Sequence, residues 1–273
     1  MPLLVVLALA SSLSASEQQM IVRNSLSSNG VNVIGWNSPD FDPLVKKLLS
    51  ADAWAKVSDI LPYSVIVANN TGKYIWGFTV VYSFPDKISP SGKPWTHRIS
   101  PSTGGSAERS RMLEPGATFL ITPVSDFLAS ADSKGMPVLQ PLVDDGLDRM
   151  IADFQSRHQQ GERITLDVDS VIFEDGTLEG PDSEQMLLRV NDRIRAERDV
   201  TAEMANRHGD TLRKFLLLHA SNTGSDEYAF RSAAVAQGML QLLDQHGETA
   251  TSDLAKKMCT KQWFVGSENV RRK

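Results

Sequence analysis

The sequence predicts an α+β fold: an antiparallel β-sandwich followed by a helical C-terminal region. Three observations carry that prediction. Short β-rich runs at residues 63–68, 74–82 and 117–122 are separated by turn residues. From Asp145 onward the apolar period changes, with Leu147, Met150, Ile151 and Phe154 at helical spacing. The charge divides along the same line: residues 1–140 hold 11 Lys+Arg against 10 Asp+Glu, residues 141–273 hold 17 against 23. Strands first and helices later point to segregated layers rather than alternating βαβ units.

The elements follow in order. Residues 3–10 are all apolar and run into Ser11, Ser12, Ser14, Ala15 and Ser16. This reads as a signal peptide over residues 1–16, cut after Ser14 or Ser16. The apolar run is far shorter than the ~20 residues that cross a bilayer, and no later segment reads as transmembrane. Residues 17–62 form an N-terminal segment with one helix at 43–57, capped by Asp42 with Pro43 at the favoured first position. Residues 63–180 form the sandwich domain. Its runs 63–68 and 74–82, joined by the turn residues 69–73, read as a β-hairpin. Proline-rich residues 83–110 read as an irregular connection with a short strand at 95–99, and 117–122 is the next strand. A helical insertion near 145–159 is stopped by Gly161. Ile164, Leu166 and Val168 then alternate with Thr165, Asp167 and Asp169, a strand with one wet face that ends in a Glu174-Asp175-Gly176 turn. Residues 181–273 are the helical region, with helices at 183–207 (capped by Asp182), 211–219, 226–245 and 253–258.

Composition narrows the function classes. The chain has 273 residues, is 41% hydrophobic and 22% charged, and carries a net charge of −5, which disfavours nucleic acid as a partner. A single cysteine, Cys259, leaves no intramolecular disulfide and no cysteine-based zinc site. The five histidines show no i, i+4 pair and no HExxH. His158, His208 and His246 read as helix-end cations. Ser102-Thr-Gly-Gly-Ser106 lacks the lysine of a phosphate loop, and Asn69-Asn70-Thr71 matches a glycosylation sequon.

The one stretch with chemical content is Asp167-Val-Asp169-Ser-Val-Ile-Phe-Glu174-Asp175-Gly176. It resembles the first motif of haloacid-dehalogenase-like phosphatases, which implies Asp167 as nucleophile and Asp169 as acid/base beside Mg²⁺. The apolar run 215–218 that leads to Ser221 loosely mimics the second motif. Against this stands the polar alternation of 164–168, since the central strand of a doubly wound sheet is apolar on both faces. Asp167, Asp169, Glu174, Asp175, Glu179 and Asp182 also offer enough carboxylates for Ca²⁺, but without the spacing of a twelve-residue calcium loop. No catalytic, cofactor-binding or metal-binding residue is assigned.

Several segments taken together resemble a wider group. They are the leader, Leu61-Pro-Tyr-Ser-Val-Ile-Val-Ala-Asn-Asn70, the Trp76 strand, Leu113-Glu-Pro-Gly116, Val171-Ile-Phe-Glu-Asp-Gly-Thr177, and Gly180-Pro-Asp182 before a long helix. This pattern resembles uncharacterised exported proteins of soil bacteria with an immunoglobulin-like sandwich and a helical tail. The resemblance implies a structural role for the Phe-Glu-Asp-Gly stretch. The expectation is an exported protein, periplasmic or extracellular. It acts as a non-enzymatic binding or interaction module of the cell envelope, with an envelope protein as partner. The alternative is a Mg²⁺-dependent phosphatase using Asp167 and Asp169.

Overall fold

The computed structural model of the chain describes residues 20–26, 30–88, 90–92, 94–99, 113–124, 130–131, 137–139, 145–157, 163–222, 224–264 and 269–272. The leader at 1–16, the Gly104-Gly105 loop, His158 and Gly161 lie outside them. The fold is mixed α+β. Its strands are β1 (Met20–Asn24), β2 (Val31–Gly35), β3 (Val65–Asn69), β4 (Ile75–Ile88), β5 (Pro94–Ile99), β6 (Thr118–Ile121), β7 (Ser130–Ala131), β8 (Pro137–Leu139), β9 (Ile164–Phe173), β10 (Thr177–Glu179) and β11 (Arg271–Arg272). Its helices are α1 (Phe41–Leu48), α2 (Ala51–Val57), α3 (Asp145–Arg157), α4 (Met186–Met204), α5 (Gly209–Ala220) and α6 (Glu227–Cys259), with a 3₁₀ turn at Ser58–Tyr63.

The strands form two sheets. The six-stranded sheet runs β11-β10-β9-β4-β5, with β1 beside β9, and the five-stranded sheet runs β2-β3-β6-β7-β8. Most pairs are antiparallel, but β1 joins β9 and β11 joins β10 in parallel. One apolar cluster takes residues from both sheets and from α1 to α3. Phe78 of β4 meets Phe119 of β6 edge-on, with 5.6 Å between ring centroids.

The expected hairpin over 63–82 does not form. β3 pairs with β2 and β6, whereas β4 pairs with β5 and β9 in the other sheet. All five residues of β3 are buried, so the strand needs neighbours on both edges and cover on both faces. Asn69 makes the exit. Its Nδ2 donates to the carbonyls of Lys73 (2.9 Å) and Leu113 (2.8 Å), and its Oδ1 accepts from the Thr71 backbone N–H (3.1 Å) and hydroxyl (2.6 Å). That Asx turn steers the chain out of one sheet into the other. It also commits the sequon's asparagine: Asn69 is wholly buried and its amide is engaged.

Two bulges explain how the long strands fill two cores. Trp76 is the extra residue on β4 and Asp169 the extra residue on β9. A one-residue slip turns the following side chains to the opposite face. Ile164, Leu166 and Val168 therefore face the same core as Val171 and Phe173. Trp76 turns instead to a second cluster with Ile172, Leu178, Met186, Val190, Ile194, Trp263, Phe264 and Val270. The wet face expected for β9 holds at Thr165 and Asp167 only; from Val168 on every residue is buried, with Asp169, Ser170 and Ile172 toward the start of α4 and Val171 and Phe173 in the sheet core.

The helices are close to expectation, with four differences. Asp42 does not cap the first helix: α1 starts at Phe41 with Asp40 at its N-cap and no side-chain cap bond, which puts Asp42 inside the first turn. The helix expected at 43–57 is two helices, broken at Leu49–Ser50, where the Ser50 hydroxyl caps α2 by accepting from the Ala53 N–H at 3.2 Å. The last two expected helices are one run, α6, kinked at Gly247 (φ 79°). Asp182 does serve the start of α4, but at a distance. It takes a left-handed backbone (φ 59°) and its carboxylate accepts the N–H groups of Met186 and Leu187. After α6 the chain returns to the sheet. Trp263 and Phe264 both pack edge-on against Trp76, and the Asn191 amide bonds both backbone groups of Val270.

Candidate functional site

The acidic stretch singled out in the sequence disperses in the structure. Asp167 Oδ2 accepts a hydrogen bond from the Ser25 hydroxyl at 2.7 Å, just past β1. Asp169, 2% exposed, accepts from the Ser183 N–H (3.1 Å) and hydroxyl (2.5 Å) in the loop before α4. The two carboxylates thus hold two different segments onto β9. The strand is antiparallel to β4 and β10 and parallel only to the short β1, and the run 215–218 is part of α5, so the sheet that carries these residues is not the mainly parallel one that a haloacid-dehalogenase-like site needs. Glu174 accepts the Tyr74 N–H, and Asp182 caps α4. Asp175 pairs with Lys73 at 2.6 Å. Burial alone would raise the Asp175 carboxyl, but hydrogen bonds from Lys73 and Thr177 outweigh it and bring it to about 2. Among the described residues, no three Asp, Glu, His or Cys side chains converge in a way that could hold a metal ion.

A second concentration of charge lies where α4, α6 and the returning chain meet. Lys261 Nζ sits 3.8 Å over the Trp263 ring and 3.6 Å from the Glu197 carboxylate, with the Arg193 guanidinium 5.7 Å from the same ring. Burial pushes the Glu197 carboxyl up and the Lys261 ammonium down, against the attraction between them. Such a pair fixes geometry rather than adding much stability. It ties the returning chain to α4.

The open feature is a groove in the helical region. Leu212, Phe215 and Leu216 of α5 are buried with Ala236 and Met239 of α6, and Val200 and Met204 of α4 join the same cluster. α4 and α5 each pack extensively on α6 but scarcely on each other. The gap between them is a groove of about 690 Å³ lined by α4, α5 and Tyr228 at the start of α6. Its floor is apolar, from Val200, Phe215 and Leu218. The α4 rim carries Asp199 and Glu203, and the α5 rim carries Lys214 and His219. Tyr228 donates to Asp199 at 2.7 Å; burial, then the neighbouring carboxylate, raises its hydroxyl above the ordinary tyrosine range. Arg207 spans the end of the groove. It pairs with Glu203 at 2.9 Å and stacks 4.5 Å from the Phe215 ring centroid. The His219 ring lies 4.3 Å from Phe215 on the other side. Leu218 is 69% exposed in the groove, and Leu217, outside its lining, is 48% exposed.

Sequence reasoning passed over this site. The signal was there in Leu216-Leu217-Leu218: successive helical residues point about 100° apart, so a single contact with α6 cannot bury all three. His208, read as a helix-end cation, instead precedes the first turn of α5 and meets Glu248 at 3.0 Å, beside the Gly247 kink.

No helix among the described residues is long and apolar enough to cross a membrane. Compared with protein-family models, curated proteins and solved structures, the chain matches none.

Proposed function

We propose that the chain is an exported, non-enzymatic interaction module of the cell envelope, and that the α4–α5 groove is its recognition surface. The observation that carries the reading is an apolar floor left open between two helices that both rest on a third, with Leu218 in it 69% exposed. A missing fourth helix is the natural complement of such a surface, an amphipathic helix laid apolar face down. The immunoglobulin-like reading of the sheets, and with it the likeness to exported soil-bacterial proteins, belongs to the same proposal. It is supported by the Phe78–Phe119 contact across one shared core, while the parallel pairings of β1 and β11 are additions to that plan. Export rests on the leader at residues 1–16.

The test is affinity capture from the exported fraction of the source organism with wild type and Leu218→Glu. A defined partner, identified by mass, retained by wild type and lost by the variant is the expected result. Equal retention by both contradicts the groove. A parallel assay of an aryl phosphate with and without Mg²⁺, for wild type and Asp167→Asn, addresses the enzymatic alternative: metal-dependent turnover lost in the variant would replace the binding reading.

A further inference from the structure

We propose that the occupant of the groove is α5 of a second copy of this chain, so that the working form is a two-fold dimer. The proposal rests on the reading of the groove as the recognition surface and names what fills it.

The first argument is that α5 has more apolar surface than its own chain uses. One face, through Leu212, Phe215 and Leu216, is buried on α6. Leu218, further round the helix, is 69% exposed and lines the groove. The described residues of its own chain leave that apolar side chain uncovered.

The second argument is charge. The two rims have opposite signs: Asp199 and Glu203 on α4, Lys214 on α5. Lys214 has no ion-pair partner among the described residues. Asp199 and Glu203 each accept one bond from their own chain, which leaves acceptor capacity on each carboxylate. A two-fold axis across the groove lays α5 of one copy along α4 of the other. It sets Lys214 against the partner's acidic rim, and the reverse contact follows by symmetry. An isologous interface requires one patch that complements itself, and opposed rims around a shared Leu218 meet that requirement. An unrelated helix would use the apolar floor but has no need of opposed rims. Charged rims also set register and orientation more than affinity.

The test is sedimentation equilibrium of the full chain, with thermal melts by circular dichroism to confirm that each variant folds. Wild type is expected to dimerise. Leu218→Glu is expected to raise the dimer dissociation constant at least ~30-fold, the scale of a central interface anchor. Leu218→Ser serves as the second variant if the first unfolds. Lys214→Glu should weaken the dimer by about 10-fold. Mixing Lys214→Glu chains with Glu203→Lys chains should give a heterodimer tighter than either variant's homodimer. A wild type that stays monomeric at millimolar concentration overturns the proposal, and so does a dimer indifferent to the leucine changes. The two layers fail separately. A monomer whose position 218 still photo-cross-links to another protein sinks the dimer and leaves the recognition surface standing. A monomer with no adduct at 218 sinks both.

Discussion

The sheet region and the helical region are built to different degrees of closure. The sheet region buries both faces of its long central strands: every described position of β9 from Val168 to Phe173 is inaccessible, as is the whole of β3. It achieves this with two bulges that re-aim Trp76 and Asp169, and with a returning chain that caps Trp76 with Trp263 and Phe264. The helical region stops short. α6 serves α4 and α5, but the third side of the triangle is left as a charged-rimmed groove. Closure makes a scaffold, and an unclosed apolar floor makes a surface with something to bind.

Four changes break or sharpen that contrast. The largest effect is expected for Trp263→Ala, which empties a 2% exposed indole position at the seam between the regions. A loss of about 3–5 kcal/mol in urea unfolding is expected, together with loss of near-ultraviolet signal from the Trp76 surroundings. An effect below about 1 kcal/mol would mean that the returning chain is not part of the core. Next is Gly180→Ala. Gly180 sits at φ +104°, and a Cβ there would run into the Asp169 carbonyl oxygen. Backbone strain alone costs about 1–3 kcal/mol, so unfolding at clearly lower urea is expected, with α4 losing its anchor on β9.

The third change is electrostatic and smaller. The Asp175 carboxyl falls from 3.8 to about 2 on folding. The folded chain holds that proton less well than the unfolded one, so the pair with Lys73 stabilises above about pH 4, and its contribution is lost as pH falls from there to about 2. Lys73 is 48% exposed, so screening limits the contribution to on the order of 1 kcal/mol. Lys73→Met should flatten the stability-against-pH curve in that window and leave neutral pH nearly unaltered in shape. The smallest effect on folding is expected for Leu218→Ser. A side chain 69% exposed carries little of the fold, and a change within about 0.5 kcal/mol is expected. A large destabilisation would mean that Leu218 is core, and the contrast between closed and open regions would fail at its most informative residue.

Much of this was legible in the residues. Alternation at 164–168 and the helical period from Asp145 placed β9 and α3, and the Glu174-Asp175-Gly176 turn stands where expected, with Gly176 at φ 76°. The failures were long-range. A hairpin over 63–82 satisfies every local rule, yet the pairing is decided by strands far away in sequence and by one buried asparagine. β1 and β2 lie in a Ser/Asn-rich segment whose short apolar content is unremarkable until β9 and β3 pair with it. The alternation was read through Asp169 onto a wet face, and the bulge that buries Asp169 depends on the register with β4. The acidic residues drew attention by composition, but composition cannot say that Asp167, Asp169 and Asp182 are committed to separate places, at Ser25, Ser183 and the start of α4. The groove went unread because its evidence is an excess of leucine on one short helix rather than a motif.

The most direct test of the contrast is photo-cross-linking in the source organism. A photoreactive residue is placed at Leu218 on the groove and, separately, at Ile88, 63% exposed on the sheet. Adducts at position 218, with another protein or with a second copy, and none at position 88 are the expected result. Adducts at 88 with none at 218 would contradict it and move the recognition surface to the sheet.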